Sequence, residues 1–159
     1  MDKTALPYRP CAGVMLLNRD GRVFVGQRLD SMLEAWQMPQ GGIDDGEAPI
    51  DAAIRELREE TGVAEDKVRL IAEGPEELFY DLPDDMIGKI WKGKWRGQRQ
   101  RWFLFGFEGT DDDIDIETPE PEFRAWRWAD PADLPTMIVP FKKALYEQVL
   151  AGFAEHLHR

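Results

Sequence analysis

The sequence predicts a small α/β or α+β sandwich. Three observations lead there: short runs rich in β-branched and aromatic residues, two segments of helical length, and turn residues set between them. Ala12 to Leu17 and Val23 to Gln27 read as strands joined by Asn18-Arg19-Asp20-Gly21, a hairpin turn with glycine where φ is positive. Trp36 to Gln40 reads as a short strand running into Gly41-Gly42. Pro49 to Thr61 reads as a helix, because proline suits its first position, Asp51 favours its positive end and Gly62 suits a left-handed stop. Val68 to Ala72, Leu78 to Leu82, Gln100 to Phe107 and Phe123 to Trp128 are further strands. Val139 to Phe153 reads as a closing helix, with Val139, Leu145, Val149 and Phe153 at helical intervals.

At 159 residues, with no internal repeat and no linker, the chain is expected to form one domain over residues 1–159. Twenty Lys and Arg against 31 Asp and Glu give a net charge of −11, which disfavours nonspecific binding to nucleic acid or anionic membrane. Cys11 is the single thiol, and His156 and His158 are the only histidines. A Cys/His zinc site and a His-based catalytic triad are therefore excluded. No apolar run is long enough to cross a bilayer and the first ten residues lack a secretory core, so the expectation is a cytoplasmic protein with no membrane role. Nothing in the sequence points to an obligate protein partner.

Charge is segregated. Lys89 to Arg101 holds six basic residues and no acid, and Glu108 to Glu122 holds eight acids and no base. Either run alone reads as a solvated, protected edge. Trp91, Trp95 and Trp102 interleave the basic run, which favours an anionic ligand bearing a ring. On a helical wheel of Pro49 to Thr61, Ile50, Ala53, Ile54 and Leu57 form the core stripe. Glu56, Glu59 and Glu60 share another face within about 100° of arc, with small Ala52 beneath them leaving that face open. The like-charge pair Glu56 and Glu60 costs roughly 0.2–0.5 kcal/mol, and the helix dipole opposes anions in the last turn by roughly 0.3–1 kcal/mol each. Two readings meet these facts: a solvated acidic face, or an oxygen-ligand site for a hard divalent cation, Mg2+ or Mn2+.

Gly41, Glu47, Arg55, Glu56, Leu57, Glu59, Glu60, Gly62 and Val63 fall at the spacing G-x5-E-x7-R-E-U-x-E-E-x-G-U, where U is a bulky aliphatic residue. This 41–63 segment resembles the Nudix box at every fixed position. The resemblance implies an α/β/α sandwich with a mixed sheet and a loop-helix-loop that carries metals bridging a substrate diphosphate. It implies Glu56, Glu59 and Glu60 as metal ligands, Arg55 as the group orienting a carboxylate, Glu47 as a loop brace and Gly41 as the point of close backbone approach to the metal.

The flanks narrow the branch. Tyr8-Arg9-Pro10, Gly26-Gln27-Arg28, Trp36 to Gly42, Gly97 to Phe103, Pro121-Glu122-Phe123 and Phe141-Lys142 resemble bacterial Nudix hydrolases that act on RNA 5′ ends or dinucleoside polyphosphates. That resemblance implies Arg9, Arg28 and Lys142 at phosphates, Phe141 as a base-stacking ring and Tyr80 at the nucleotide. It makes Glu122 a further metal ligand or the base, with Glu59 the other candidate base. The basic run and the metals together are expected to reverse the local sign for an anionic substrate. The favoured reading is asymmetric cleavage of diadenosine tetraphosphate to ATP and AMP, with Trp91 and Trp95 offering surface for the second adenine. The alternative is pyrophosphate removal from 5′-triphosphorylated RNA. A reading from another class is a catalytically silent nucleotide-binding regulator.

Overall fold

Strand residues alternate strictly between two apolar clusters, and that alternation dictates the layers. On the first strand, Ala12, Val14 and Leu16 face one cluster and Met15 the other. Phe103, Phe105 and Phe107 oppose Trp102 and Leu104 in the same way, and Phe24 opposes Val23 and Val25. A sheet apolar on both faces needs a helix on each side. The fold comes from a computed structural model that describes residues 5–29 and 34–157; His158 lies outside them.

Among the described residues the strands are β1 (Tyr8–Leu17), β2 (Val23–Arg28), β3 (Trp36–Gln37), β4 (Gln40–Gly42), β5 (Val68–Glu73), β6 (Leu78–Asp81), β7 (Gly97–Phe107) and β8 (Phe123–Ala129). They form one mixed sheet with the path β3-β2-β1-β7-β5. β4 adds to β1, β6 to β7 and β8 to β2. β1 and β7 run parallel from Tyr8↔Gly97 to Leu17↔Gly106, and the other pairings are antiparallel. Helix α1 (Pro49–Thr61) covers one face. Helices α2 (Leu134–Met137) and α3 (Lys143–Gly152) cover the other, and α4 (Ala154–Leu157) follows. The result is the α/β/α sandwich with a mixed sheet. Among the described residues no helix is long and apolar enough to cross a membrane.

The β1–β2 turn forms as expected: the Asn18 side chain accepts from the Asp20 and Arg22 amides, and Gly21 has φ 78°. Several elements depart from the sequence expectation: β1 and β7 begin earlier, at Tyr8 and Gly97, and the short α2 is added. Trp36 to Gln40 is broken at Pro39, which has no N–H for a ladder, so its halves pair with different strands. The closing helix begins at Lys143, preceded by a 3₁₀ turn over Pro140–Lys142. Pro140 holds Val139 extended and outside the helix. On α1 the buried face comprises Ala52, Ala53, Leu57, Glu60 and Thr61. Ala52 thus lies in the core rather than beneath an open acidic face, and its small side chain lets the helix sit close to the sheet.

Glycine at β1 position 13 is set by a neighbouring ring. A Cβ there would stand 2.6 Å from the Trp102 indole, which lies across the strand. Gly13→Ala is therefore expected to destabilise the fold by about 1–3 kcal/mol through overpacking, measured as a lower denaturation midpoint with unchanged m-value.

Candidate active site

Arg55 is the hub from which the site is built. Its position on α1 turns the guanidinium toward the loop after β4. Nε and Nη2 donate to the two Glu47 carboxylate oxygens, both at 2.9 Å. Nη2 also donates to the Gly42 carbonyl at 2.9 Å, and Nη1 to Glu56 at 2.8 Å and Glu59 at 3.3 Å. Glu47 in turn accepts from the Asp44 amide at 3.0 Å. The paired Arg55 bonds and this amide hold the Glu47 carboxyl down at about 2. One side chain thereby joins loop, strand and helix.

Glu60 is 3% exposed, far more buried than a solvated acidic face would allow. One of its oxygens accepts the Gln40 amide at 3.0 Å. Burial raises its carboxyl well above the usual range, and the charges of Glu56 and Glu122 add to the rise. Glu56 is raised by burial as well, partly offset by Arg55. Gly41 lies against it so closely that a Cβ would overlap the Glu56 carboxyl group. Glu59 is half exposed. Glu122 precedes β8 and stands 3.7 Å from Arg28 on the paired strand β2. Glu56, Glu59 and Glu122 line a cavity of about 270 Å³ together with Pro119 and Glu120. Glu120 escaped the sequence reading because nothing sets it apart from the other acids of its run.

These are hard oxygen donors around a glycine that leaves room for nothing larger, with one carboxylate buried among like charges. Such a set fits a divalent cation. Among the described residues no three acidic, histidine or cysteine side chains already stand as a closed cage. Glu56 and Glu59 are instead turned to Arg55.

A second half of the site lies on the α3 side of the sheet. Tyr80 on β6 is buried, with its ring 6.0 Å from that of Phe141, which is 37% exposed. The Lys142 ammonium sits 5.1 Å from the Tyr80 ring and 5.9 Å from the Phe141 ring. Burial, followed by the nearby Arg28 charge, pulls Lys142 down to about 8. The Tyr80 hydroxyl is buried without a hydrogen-bond partner among the described residues. Arg9 reaches Gly42, where a Cβ would meet its Nη2 at 2.7 Å, and its guanidinium lies 5.8 Å from the Trp91 ring. Tyr80, Phe141 and Lys142 thus gather with one another, and Arg28 stands beside the carboxylate of Glu122.

The basic run divides. Arg96 pairs with Asp81 at 3.1 Å, Arg99 with Glu77 at 3.2 Å, and Arg101 with Glu73. Three of the six cations are therefore matched by acids of β5, β6 and the turn between them, and do not add to a free positive surface. Lys89, Lys92 and Lys94 are exposed. Trp102 is core, its N–H donating to Gln100 at 2.7 Å. Trp91 is half-buried, packed on the α3-side core and held in the left-handed region at φ 51°. Trp95 is half-buried just before β7.

A family model described as NUDIX domain matches residues 7–149. A protein of Sphingopyxis alaskensis named RNA pyrophosphohydrolase is 64% identical over 96% of this chain and 97% of its own. A Cereibacter sphaeroides protein of the same name is 53% identical over 99% and 97%. Among solved structures, a C. elegans Ap4A hydrolase binary complex superposes with a TM-score of 0.66 at 22% identity, covering 92% of this chain and 98% of that one. E. coli dihydroneopterin triphosphate pyrophosphohydrolase does so at 0.67 and 20%, covering 91% and 98%. These two carry the fold alone. With the box geometry, the family match and the full-length relatives in agreement, the chain belongs to the NUDIX domain family and is a Nudix pyrophosphohydrolase.

Proposed function

We propose that this chain removes pyrophosphate from the 5′ end of triphosphorylated RNA, using Mg2+ or Mn2+ held by Glu56, Glu59, Glu60, Glu122 and the Gly41 backbone. The burial of Glu60 among like charges carries the metal reading, since the Gln40 amide and the Arg28 charge offset it only in part and a cation would relieve the rest. The substrate reading rests on the two full-length relatives named RNA pyrophosphohydrolase. It displaces the dinucleotide reading that the sequence alone favours. Trp91 is engaged with Arg9 and the core, so it is a poor open platform for a second adenine. An RNA 5′ end presents its phosphates to the site without demanding that the −11 chain bind a long polyanion.

When bound, the cation neutralises the polyphosphate and activates water for attack. The chain's own groups do the rest. Arg9, Arg28 and Lys142 hold phosphate oxygens, and Phe141 stacks on a base beside Tyr80. Arg55 keeps Glu56 from swinging away. Water attacks phosphorus in line, the new O–P bond forms as the bond to the departing pyrophosphate breaks, and Glu59 or Glu122 takes the water proton. The products are 5′-monophosphorylated RNA and pyrophosphate.

The direct test is product analysis with triphosphorylated RNA and diadenosine tetraphosphate side by side. Faster pyrophosphate release from RNA is expected; faster release of ATP and AMP from the dinucleotide would restore the other reading. Excess chelator should abolish both reactions, with recovery on added Mg2+ or Mn2+.

Glu60→Gln keeps the acceptor for the Gln40 amide and removes the charge. It is expected to lower kcat by about 100-fold or more. The melting temperature without metal should stay level or rise, because a buried charge has gone. A collapse of metal-free stability would assign Glu60 a structural role.

Lys142 supplies a pH signature. Its ammonium is present below about 8 and lost above it, so a phosphate contact there weakens as pH rises. KM for triphosphorylated RNA should rise through that range, and Lys142→Met should give a higher KM with that limb flattened.

A further inference from the structure

Three consecutive residues, Met38 and Pro39 between β3 and β4 and Gln40 at the start of β4, are each tied to a different element. The Met38 amide donates to the Tyr146 hydroxyl on α3 at 2.8 Å. The Pro39 carbonyl accepts the Val14 amide of β1 at 2.9 Å, and Pro39 itself has no N–H to satisfy. The Gln40 amide donates to Glu60 on α1 at 3.0 Å. Gly41 follows directly, pressed against Glu56. Two of the carboxylates assigned to the cation therefore meet a short backbone segment that is also bonded, at Met38, to a hydroxyl more than 100 positions away in sequence.

That hydroxyl is held firmly. Tyr146 is 2% exposed and Met38 fully buried, so no solvent stands ready to replace the bond. The Tyr146 ring meets the Trp102 ring edge-on, with centroids 6.1 Å apart at 83°. Trp102 is anchored to Gln100, whose own amide donates to Gln98 at 2.7 Å. A buried donor that loses its acceptor is costly, so the segment would move rather than leave the amide bare. We propose that Tyr146 is a positioning residue for the divalent-cation site: by holding the Met38 amide it sets where Gln40 meets Glu60 and where Gly41 lies against Glu56. The inference rests on the cation set proposed above. It gives α3 a second task, since the turn leading into it carries Phe141 and Lys142.

The test is Mn2+ titration of the metal-free protein without substrate, with bound and free ion distinguished by electron paramagnetic resonance. Tyr146→Phe keeps the ring and removes the acceptor. It is expected to weaken Mn2+ binding by about 10-fold or more, the range for groups that orient metal ligands. KM for RNA at saturating Mn2+ should change little. Val149→Ala, on the same helix face, is expected to lower the melting temperature and leave Mn2+ affinity unchanged. Equal weakening by both variants would make Tyr146 merely structural and overturn the inference. Unchanged affinity in Tyr146→Phe, with Glu60→Gln weakened, would also overturn it while sparing the cation set. Unchanged affinity in Glu60→Gln would instead sink the cation set. A further measurement needs no variant. Coupling is reciprocal, so saturating Mg2+ should slow hydrogen exchange at the Met38 amide several-fold, and an unaltered rate would count against the inference.

Discussion

The Arg55 guanidinium holds the functional end of the molecule together. Its donors reach the Glu47 carboxylate, the Gly42 carbonyl, Glu56 and Glu59, joining the loop, β4 and two turns of α1. A planar fork with a fixed angle between donors does this where a lysine ammonium does not. The pairings with Glu47 and Glu56 are largely enclosed, with side-chain exposures of 23%, 17% and 15% for Arg55, Glu47 and Glu56. Solvent screening is correspondingly weak there. Remove this cation and Glu47, Glu56 and Glu59 repel one another across a loop with little else to fix it.

Against that background the placement of Glu60 is a local violation of what stabilises a helix. A carboxylate in the last turn opposes the dipole, and one buried beside two others opposes solvation too. Among the described residues the Gln40 amide and the Arg28 charge answer it in part. Consistency across levels fails at Glu60 most of all. The well-packed sheet around it supplies the compensating stability: Phe103, Phe105, Ala12 and Val14 lie fully or almost fully buried under α1.

How much of this was legible in the sequence follows from how local each feature is. The span of α1 and its Gly62 stop depend on neighbours within a turn, and Pro49 and Gly62 mark them plainly. The spacing of Glu47, Arg55 and Glu56 is equally local, and their bonds follow it. The facing of α1 was not legible, because periodicity counts apolar residues and cannot foresee that Glu60 takes a core position while Ile54 sits at its edge. The fate of the basic run was hidden as well. Arg96, Arg99 and Arg101 find their acids across strands, on residues brought alongside only by the pairing of β6 and β7 and the approach of β5. The Phe141-Lys142 motif marks Lys142, yet its place over the Tyr80 ring depends on a 3₁₀ turn that the helical pattern conceals.

The parallel pairing of β1 with β7 has a kinetic consequence. β1 is the central strand, but its longest ladder is with residues 97–106. Its contact with the neighbouring β2 is registered only at Leu17↔Val23. During synthesis at roughly 5–20 residues per second, the strand waits on the order of 4–16 s for the about 80 intervening residues to appear. Until then it is an apolar ribbon without its main partner. Loop closure of that span must precede the contacts that reward it, which places this topology among slow, high-contact-order folders. Tyr8, Arg9 and Pro10, the polar start of the ribbon, therefore serve the nascent chain as well as the finished one, since they keep its leading end from resembling an aggregation-prone strand.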